Sequence, residues 1–288
     1  MARKPSISVE TRHDIAIVWL DRQSAHNALD EGMVADLLAL LEEVTETPSL
    51  RALVIGGRGP AFCAGMDLNW MLRTGKRGGR ANQQGALAIA QLYHALATCP
   101  VPTVARVHGH CFAGGVGLVA ACDIAVASTD AAFGCAEAKR GLVPAGIGPY
   151  VRRAMGPRIA QRYLLTGEHF DAAEAYRTGL VQEICPPEEL DGTINMLLGH
   201  VVAGAPGAVR ATKQLLRELE GVSIDEALVQ RSAERLAQVR ATDEALEGMT
   251  AFLEKRDPAW VTAVEGKSAA KKSMAKKSAG KKRDLRKT

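Results

Sequence analysis

Two segments rich in small residues have the residue types and spacing for catalysis. One is Ala61-Phe62-Cys63-Ala64-Gly65-Met66-Asp67-Leu68. The other is His108-Gly109-His110-Cys111-Phe112-Ala113-Gly114-Gly115-Val116-Gly117-Leu118. Each follows an apolar run of β character, at residues 51–56 and 102–107. Both place glycine where a backbone must turn sharply or come close to another group. Two such loops can direct two backbone N–H groups at one point. That is the requirement for an oxyanion hole, which stabilises the enolate or tetrahedral oxygen of a thioester.

Holding two loops in that relation takes a scaffold, and the flanking sequence has the pattern of one. Residues 15–20, Ile-Ala-Ile-Val-Trp-Leu, read as a strand in a hairpin with residues 7–10. Val34, Leu37, Leu38, Leu41 and Val44 recur at helical spacing over residues 30–47, and Pro48 ends the run. Residues 50–56 predict the next strand. The polar, glycine-rich stretch 73–85 predicts a mobile loop. Helix is expected over 86–98 and strand over 103–107. Residues 114–121 predict a buried helix and 123–128 a further strand. The rhythm is strand, strand, helix, which predicts an α/β fold.

Beyond Pro144 the pattern becomes helical at 157–166, 171–178, 188–203, 205–219, 223–241 and 243–255. Asp171 is the expected N-cap of one of these helices and Gly179 its C′ residue. Residues 1–155 are therefore expected to form an α/β core. Residues 156–260 are expected to form a helical region that packs on the core or on a partner subunit. Residues 261–288, a basic low-complexity tract, lack the large apolar residues that packing requires and are expected to be disordered.

The chain has 288 residues and a formal net charge of +4. That sum hides an asymmetry. Residues 267–288 hold ten Lys/Arg and one Asp, leaving 26 Lys/Arg against 31 Asp/Glu in the remainder. The body is mildly acidic, so a nucleic-acid function would rest on the tail alone. Repeated Lys-Lys steps there would give only weak phosphate contact, and no aromatic residue interleaves to stack on bases. No apolar run approaches the ~20 residues of a membrane span, and Met1-Ala2-Arg3-Lys4-Pro5 leads into no signal-peptide h-region. The cysteines (63, 99, 111, 122, 135, 185) are scattered, with no C-x-x-C pair, and read as reduced, mostly buried thiols of a cytoplasmic protein. The Gly114-Gly115-x-Gly117 run lacks the G-x-G-x-x-G spacing, and Asp123 follows too closely, which argues against a dinucleotide fold.

Over residues 7–260 the chain resembles the crotonase superfamily of enoyl-CoA hydratases and isomerases. Phe62-Cys63-Ala64-Gly65-x-Asp67-Leu68 is similar to the family's first oxyanion loop, and Gly109-His110-Cys111-Phe112-Ala113-Gly114-Gly115 to its second. Cys122-Asp123-Ile124, then Phe133-Gly134-Cys135-Ala136-Glu137, then Gly141-Leu142-Val143-Pro144 continue the pattern in order. The resemblance implies a spiral of β-β-α units, assembled as a homotrimer or a dimer of trimers. It implies that the Met66 and Gly114 N–H groups are the oxyanion donors and that Glu137 is the acid/base. Ala25, His26, Ala64, Gly65, Asp67, Leu68, Phe252 and Lys255 are the implied substrate and coenzyme A contacts. No metal or separate cofactor is implied; coenzyme A enters as part of the substrate.

One position departs from the pattern. Many hydratases of the family carry a second glutamate where this chain has Gly117. A single carboxylate suits hydration if another polar group helps hold the water, and His108, His110 and Asp67 are candidates by neighbourhood. It equally suits a Δ3–Δ2 isomerase, since one group can remove and return a proton. A non-catalytic acyl-CoA-binding member is the third reading. The runs Met66-Asp67-Leu68-Asn69-Trp70-Met71, 114–123 and 251–260 resemble a subgroup acting on branched 3-methyl or glutaconyl-type acyl-CoA in leucine and terpene breakdown. A second substrate carboxylate would need a cation, and Arg73, Lys76, Arg77, Arg80, Lys139 and Arg140 are available.

Overall fold

The structure, a computed structural model, describes residues 5–261. The expectations for the basic tail beyond Val261 lie outside the described residues. Two compact units divide at Gly199/His200.

The first unit opens with the antiparallel hairpin β1 (Ile7–Arg12) and β2 (Ile15–Leu20). α1 (Glu31–Glu46) follows, its N-terminus capped by the Asp30 side chain, which accepts the Met33 N–H at 2.8 Å. Its buried stripe is Met33, Val34, Leu37, Leu40, Leu41 and Val44. β3 (Ala52–Gly57) is buried along its whole length, as expected of a parallel strand with neighbours on both sides. β4 (Ala61–Cys63) comes next, then α2 (Leu68–Lys76), α3 (Gly79–Thr98), β5 (Thr103–Val107), β6 (His110–Phe112), α4 (Gly114–Ala121), β7 (Ile124–Ser128) and β8 (Ala132–Gly134). After these come α5 (Gly148–Met155), α6 (Pro157–Thr166), β9 (His169–Asp171), α7 (Ala172–Arg177), β10 (Glu183–Cys185) and α8 (Leu190–Ala203).

The strands form two sheets, ordered β1-β2-β3-β5-β7-β10 and β4-β6-β8-β9. The long strands β3, β5 and β7 lie side by side, and each is followed after a few residues by a three-residue strand of the second sheet. The architecture is thus α/β, a stepped succession of strand, strand and helix. Each step between sheets is tight. At Gly109 (φ 55°) a Cβ would stand 2.1 Å from the Pro60 carbonyl oxygen, so only glycine can make that crossing.

Two expectations change here. Residues 73–85 do not form a loop: α2 ends at Lys76 and α3 begins at Gly79. Asp67 caps α2 through the Trp70 N–H (3.1 Å), and the buried Trp70 indole lies beside Gly85 of α3. The polar side chains of the stretch face outward, which hid the helical pattern. Nor is the region after Gly156 helical throughout. β9 pairs with β8 and β10 with β7, tying residues 156–199 to the sheets, and the expected boundary at 155/156 falls inside the first unit.

The second unit begins within α8 and contains α9 (Pro206–Glu218), α10 (Glu226–Arg240) and α11 (Asp243–Leu253). Glu244 accepts the Gly207 and Ala208 N–H groups at the start of α9, and the Trp260 indole donates to the Ala203 carbonyl (3.1 Å). α9 and α10 bury no residue, and α11 buries only Ala251. Among the described residues no helix is long and apolar enough to cross a membrane.

Candidate active site

Between β2 and α1 the chain turns through Gln23–Ala25 and places His26 and Asn27 in the left-handed region (φ 49° and 57°). Such backbone is costly for residues with a Cβ, and asparagine is among those that tolerate it best. Asn27 is fully buried. Its Oδ1 accepts the Arg22 N–H (2.9 Å), and its Nδ2 donates to the carbonyls of Arg58 (2.9 Å) and Ala61 (2.8 Å). The amide ties this loop to the entrance of the first glycine segment. Asn27→Asp would turn an acceptor toward two carbonyl oxygens; it is expected to cost about 3 kcal/mol or more, read as a lowered urea midpoint.

Beyond Asn27 the loop runs beside that segment. The Ala64 N–H donates to the His26 carbonyl (2.9 Å), the Leu29 N–H to Gly65 (2.7 Å), and the Asp67 N–H to Leu29 (2.9 Å). Leu29 uses both its polar groups in this bridge, so the Met66 N–H faces away from it. Gly65 lies against the second segment: a Cβ there would be 2.8 Å from Ala113 Cβ and 3.3 Å from the Gly114 nitrogen. Gly114 opens α4, so its N–H has no intrahelical acceptor and sits at the positive end of the helix dipole. Met66 is its neighbour: a Cβ on Gly114 would stand 3.2 Å from Met66 Sδ.

Arg22 braces the arrangement. Its guanidinium lies 3.1 Å from Asp67 Oδ2 and 3.2 Å from Asp30 Oδ2, and it also donates to the Ala28 carbonyl. Burial pushes the Asp67 carboxyl up, but the Trp70 N–H and Arg22 outweigh it and hold the group below its ordinary range.

Glu137 follows β8 and leads into the turn Ala138–Arg140. Its carbonyl accepts the Arg140 (2.9 Å) and Leu142 (3.1 Å) N–H groups, which fixes the residue in place. The side chain is half-buried, and its enclosed Oε2 has no hydrogen-bond partner among the described residues. Burial raises its pKa above the ordinary 4.5, against the opposing pull of its own N–H and of Arg140.

Tyr93, from the buried stripe of α3, stands among these groups. Burial raises its phenol well above the ordinary value, and the nearby Glu137 charge adds to the effect. The thiols are similarly displaced. Burial pushes Cys63 up to about 12 and Cys111 well above its ordinary value, so neither is a thiolate at neutral pH.

The space beside Gly117 is full. A Cβ there would lie 2.3 Å from Ile147 Cγ2 and 2.9 Å from Tyr93 Cε1. The expected water-holding candidates have other partners. His108 Nε2 meets the Gly59 carbonyl (2.8 Å), Asp67 is held by Arg22, and the exposed His110 stacks on Phe112 (5.1 Å). Among the cations, Lys139 donates to the Gly167 carbonyl (2.8 Å) and Arg140 to Ala136 (3.0 Å), while Arg73, Lys76, Arg77 and Arg80 are exposed.

The structure therefore brings Ala25, His26, Ala64, Gly65, Met66, Asp67 and Leu68 into one region of the first unit, with Gly114 beside it. Phe252, 82 % exposed, and Lys255 (φ 55°) belong to the second unit. Sequence reasoning missed Asn27's anchoring amide, Arg22, Ile147 and Tyr93. The one available signal was the pair Gly114 and Gly117: two glycines three apart on a helix mark a face open to a bulky neighbour.

The chain is similar to known proteins in sequence and in fold. The sequence model of the family described as "Enoyl-CoA hydratase/isomerase" matches residues 10–263. A Thermus thermophilus relative with a provisional enoyl-CoA hydratase name is 38% identical over 252 residues, covering 88% of this chain and 99% of the relative. Crotonyl-CoA hydratase of Syntrophomonas wolfei is 31% identical over 260 residues, covering 89% and 98%. The crystal structure of an enoyl-CoA hydratase from Shewanella pealeana superposes with a TM-score of 0.85 at 37% identity, covering 88% of this chain and 96% of that one. By sequence and by fold, the chain belongs to the enoyl-CoA hydratase/isomerase family.

Proposed function

We propose that this protein adds water across the double bond of a 2-enoyl-CoA, with Glu137 as the single acid/base. The observation that carries the reading is the half-buried Glu137 carboxyl, whose enclosed oxygen has no partner among the described residues and whose pKa is raised by burial. A proton-transfer group needs this combination of availability and tuned basicity. The carboxylate takes one proton of water as the water oxygen bonds to the β-carbon. The thioester oxygen takes up the enolate charge and rests on the Met66 and Gly114 N–H groups. The same proton then passes to the α-carbon, the carbonyl re-forms and the carboxylate is regenerated. One C–O and one C–H bond have replaced the π bond and one O–H bond of water.

Ala25, His26, Ala64, Gly65, Asp67 and Leu68 form the acyl-CoA cleft in this reading, and Phe252 and Lys255 of the helical unit are read as coenzyme A contacts. Asp67 acts there through the cap of α2 and through Arg22. A branched 3-methyl or glutaconyl-type acyl chain is the substrate class, its distal carboxylate facing the exposed cations of α2 and α3. Assembly into a homotrimer or a dimer of trimers is supported by the second unit, where Ile224 is 90 % and Leu253 79 % exposed.

The filled space at Gly117 favours a second reading, Δ3–Δ2 isomerisation. There Glu137 would remove a proton from C2 and return it at C4. Mass spectrometry of products from crotonyl-, 3-methylglutaconyl- and 3-enoyl-CoA separates the two. Gain of one water on a 2-enoyl substrate is the expected result. An unchanged mass with a moved double bond would establish the isomerase, and no conversion of any substrate would leave a binding role.

A further inference from the structure

Gly114 and Gly117 lie on one face of α4, and the groove between them is occupied by a single phenol. A Cβ at Gly114 would stand 2.8 Å from Tyr93 Oη, and one at Gly117 2.9 Å from Tyr93 Cε1. From the other side, a Cβ at Gly146 would stand 3.6 Å from Cε2, and the Tyr150 ring lies 6.0 Å away. Tyr93 Oη donates to the Gly114 carbonyl at 3.0 Å.

This bond falls where α4 most needs a restraint. The helix has eight residues. Its N-cap, Ala113, has φ 48° and offers no capping side chain. The first turn of a helix is where its ladder leaves groups unsatisfied and where fraying begins. A left-handed alanine adds strain at that point. Where a capping Ser or Asp accepts a free N–H, Tyr93 tethers the first turn from outside the helix by donating to a carbonyl. It binds the carbonyl of the very residue whose N–H opens the helix.

We propose that Tyr93 is the positioning residue of the oxyanion site: its hydroxyl holds Gly114 and its ring lies along the Gly114/Gly117 face, so the Gly114 N–H keeps its aim at the thioester oxygen. The inference rests on the reading of the Met66 and Gly114 N–H groups as oxyanion donors. Tyr93 need not touch substrate in this role. It acts through Gly114, and its loss should weaken enolate stabilisation more than ground-state binding.

Tyr93→Phe removes the hydroxyl and keeps the ring. The probe is acetoacetyl-CoA, whose α-proton is acidic and whose enolate absorbs in the near ultraviolet, titrated free and bound. Wild-type protein should lower the pKa of the bound ligand relative to the free one. In Tyr93→Phe that pKa should rise by about one unit, with kcat falling about tenfold and KM staying within about twofold. A lowered unfolding midpoint with an unchanged ligand pKa would make Tyr93 merely structural and overturn the proposal. So would unchanged kcat and ligand pKa, while the oxyanion reading would stand. If wild-type protein fails to lower the ligand pKa, the oxyanion reading itself falls and the proposal with it. Should Tyr93→Phe not fold, Gly117→Ala in an Ile147→Ala background pushes the ring away from Gly114 with its hydroxyl intact. The same rise in ligand pKa is expected there, and its absence would overturn the proposal.

Discussion

Glu137→Gln is expected to lower turnover by about 10²- to 10⁴-fold while acyl-CoA binding persists and thermal stability at neutral pH increases. The two effects have one cause. Burial raises the carboxyl's pKa above 4.5, so its ionised form is disfavoured in the folded state. Between the unfolded and the folded pKa the native protein holds the extra proton. Stability therefore falls as pH rises through that window, and the penalty is fully present above the folded pKa. An uncharged amide removes it. A raised thermal midpoint is expected at pH 7, the gain shrinking to nothing well below pH 4.5, where wild-type Glu137 is protonated in both states. The activity of wild-type protein should show an acidic limb with a midpoint above 4.5, because the water-activating form is the carboxylate. Turnover surviving in Glu137→Gln would remove this residue from the chemistry.

Gly117→Glu, the change that would restore a second carboxylate, is expected to destroy the fold rather than improve the catalyst. Its first added atom would meet Ile147 at 2.3 Å and Tyr93 at 2.9 Å. Ile147 is 4 % exposed and Tyr93 fully enclosed, so neither has room to retreat. Overpacking of this kind costs about 1–3 kcal/mol, and an unpaired carboxylate buried there adds several more. The total approaches the whole stability of an ordinary domain, about 5–15 kcal/mol. Soluble yield and thermal midpoint are the measurements. A stable, folded Gly117→Glu would show that the wall yields, and the steric case for a one-carboxylate site would be lost.

Long, strongly patterned elements were legible without coordinates. The apolar spacing over residues 30–47, ended by Pro48, carries α1, and the helical pattern over 157–166 carries α6. The three-residue strands β4, β6 and β8 were not legible, because so few residues show no period. β4 and β6 sit inside the glycine segments and turn them from loops into strands of a second sheet, which β8 extends. Residues 73–85, the end of α2 and the start of α3, were read as a loop because most of their outward residues are polar, and Asp67, the cap of α2, was assigned to substrate instead. At the site, the proposed backbone donors and Glu137 belong to local motifs, and the resemblance assigned them by the order of those motifs. Tyr93 could not be assigned in this way. Its partners Gly114, Gly117 and Ile147 lie at least 21 residues away, on elements whose proximity only the fold creates. In sequence it is one more large residue in the stripe Leu92, Tyr93, Leu96 and Ala97.

The phenol lodged in the α4 groove also gives the family's history a direction. A lineage with Tyr93 and Ile147 in place cannot gain a second carboxylate by changing position 117 first. It would have to shorten one of those side chains beforehand, opening a cavity that costs about 2–5 kcal/mol and brings no catalytic return. The opposite journey has no such obstacle. Losing a side chain at 117 leaves a void, and every larger neighbour that fills it stabilises the protein at once. The order in which mutations can be accepted thus differs between the two directions, and the groove works as a ratchet that favours the single-carboxylate site.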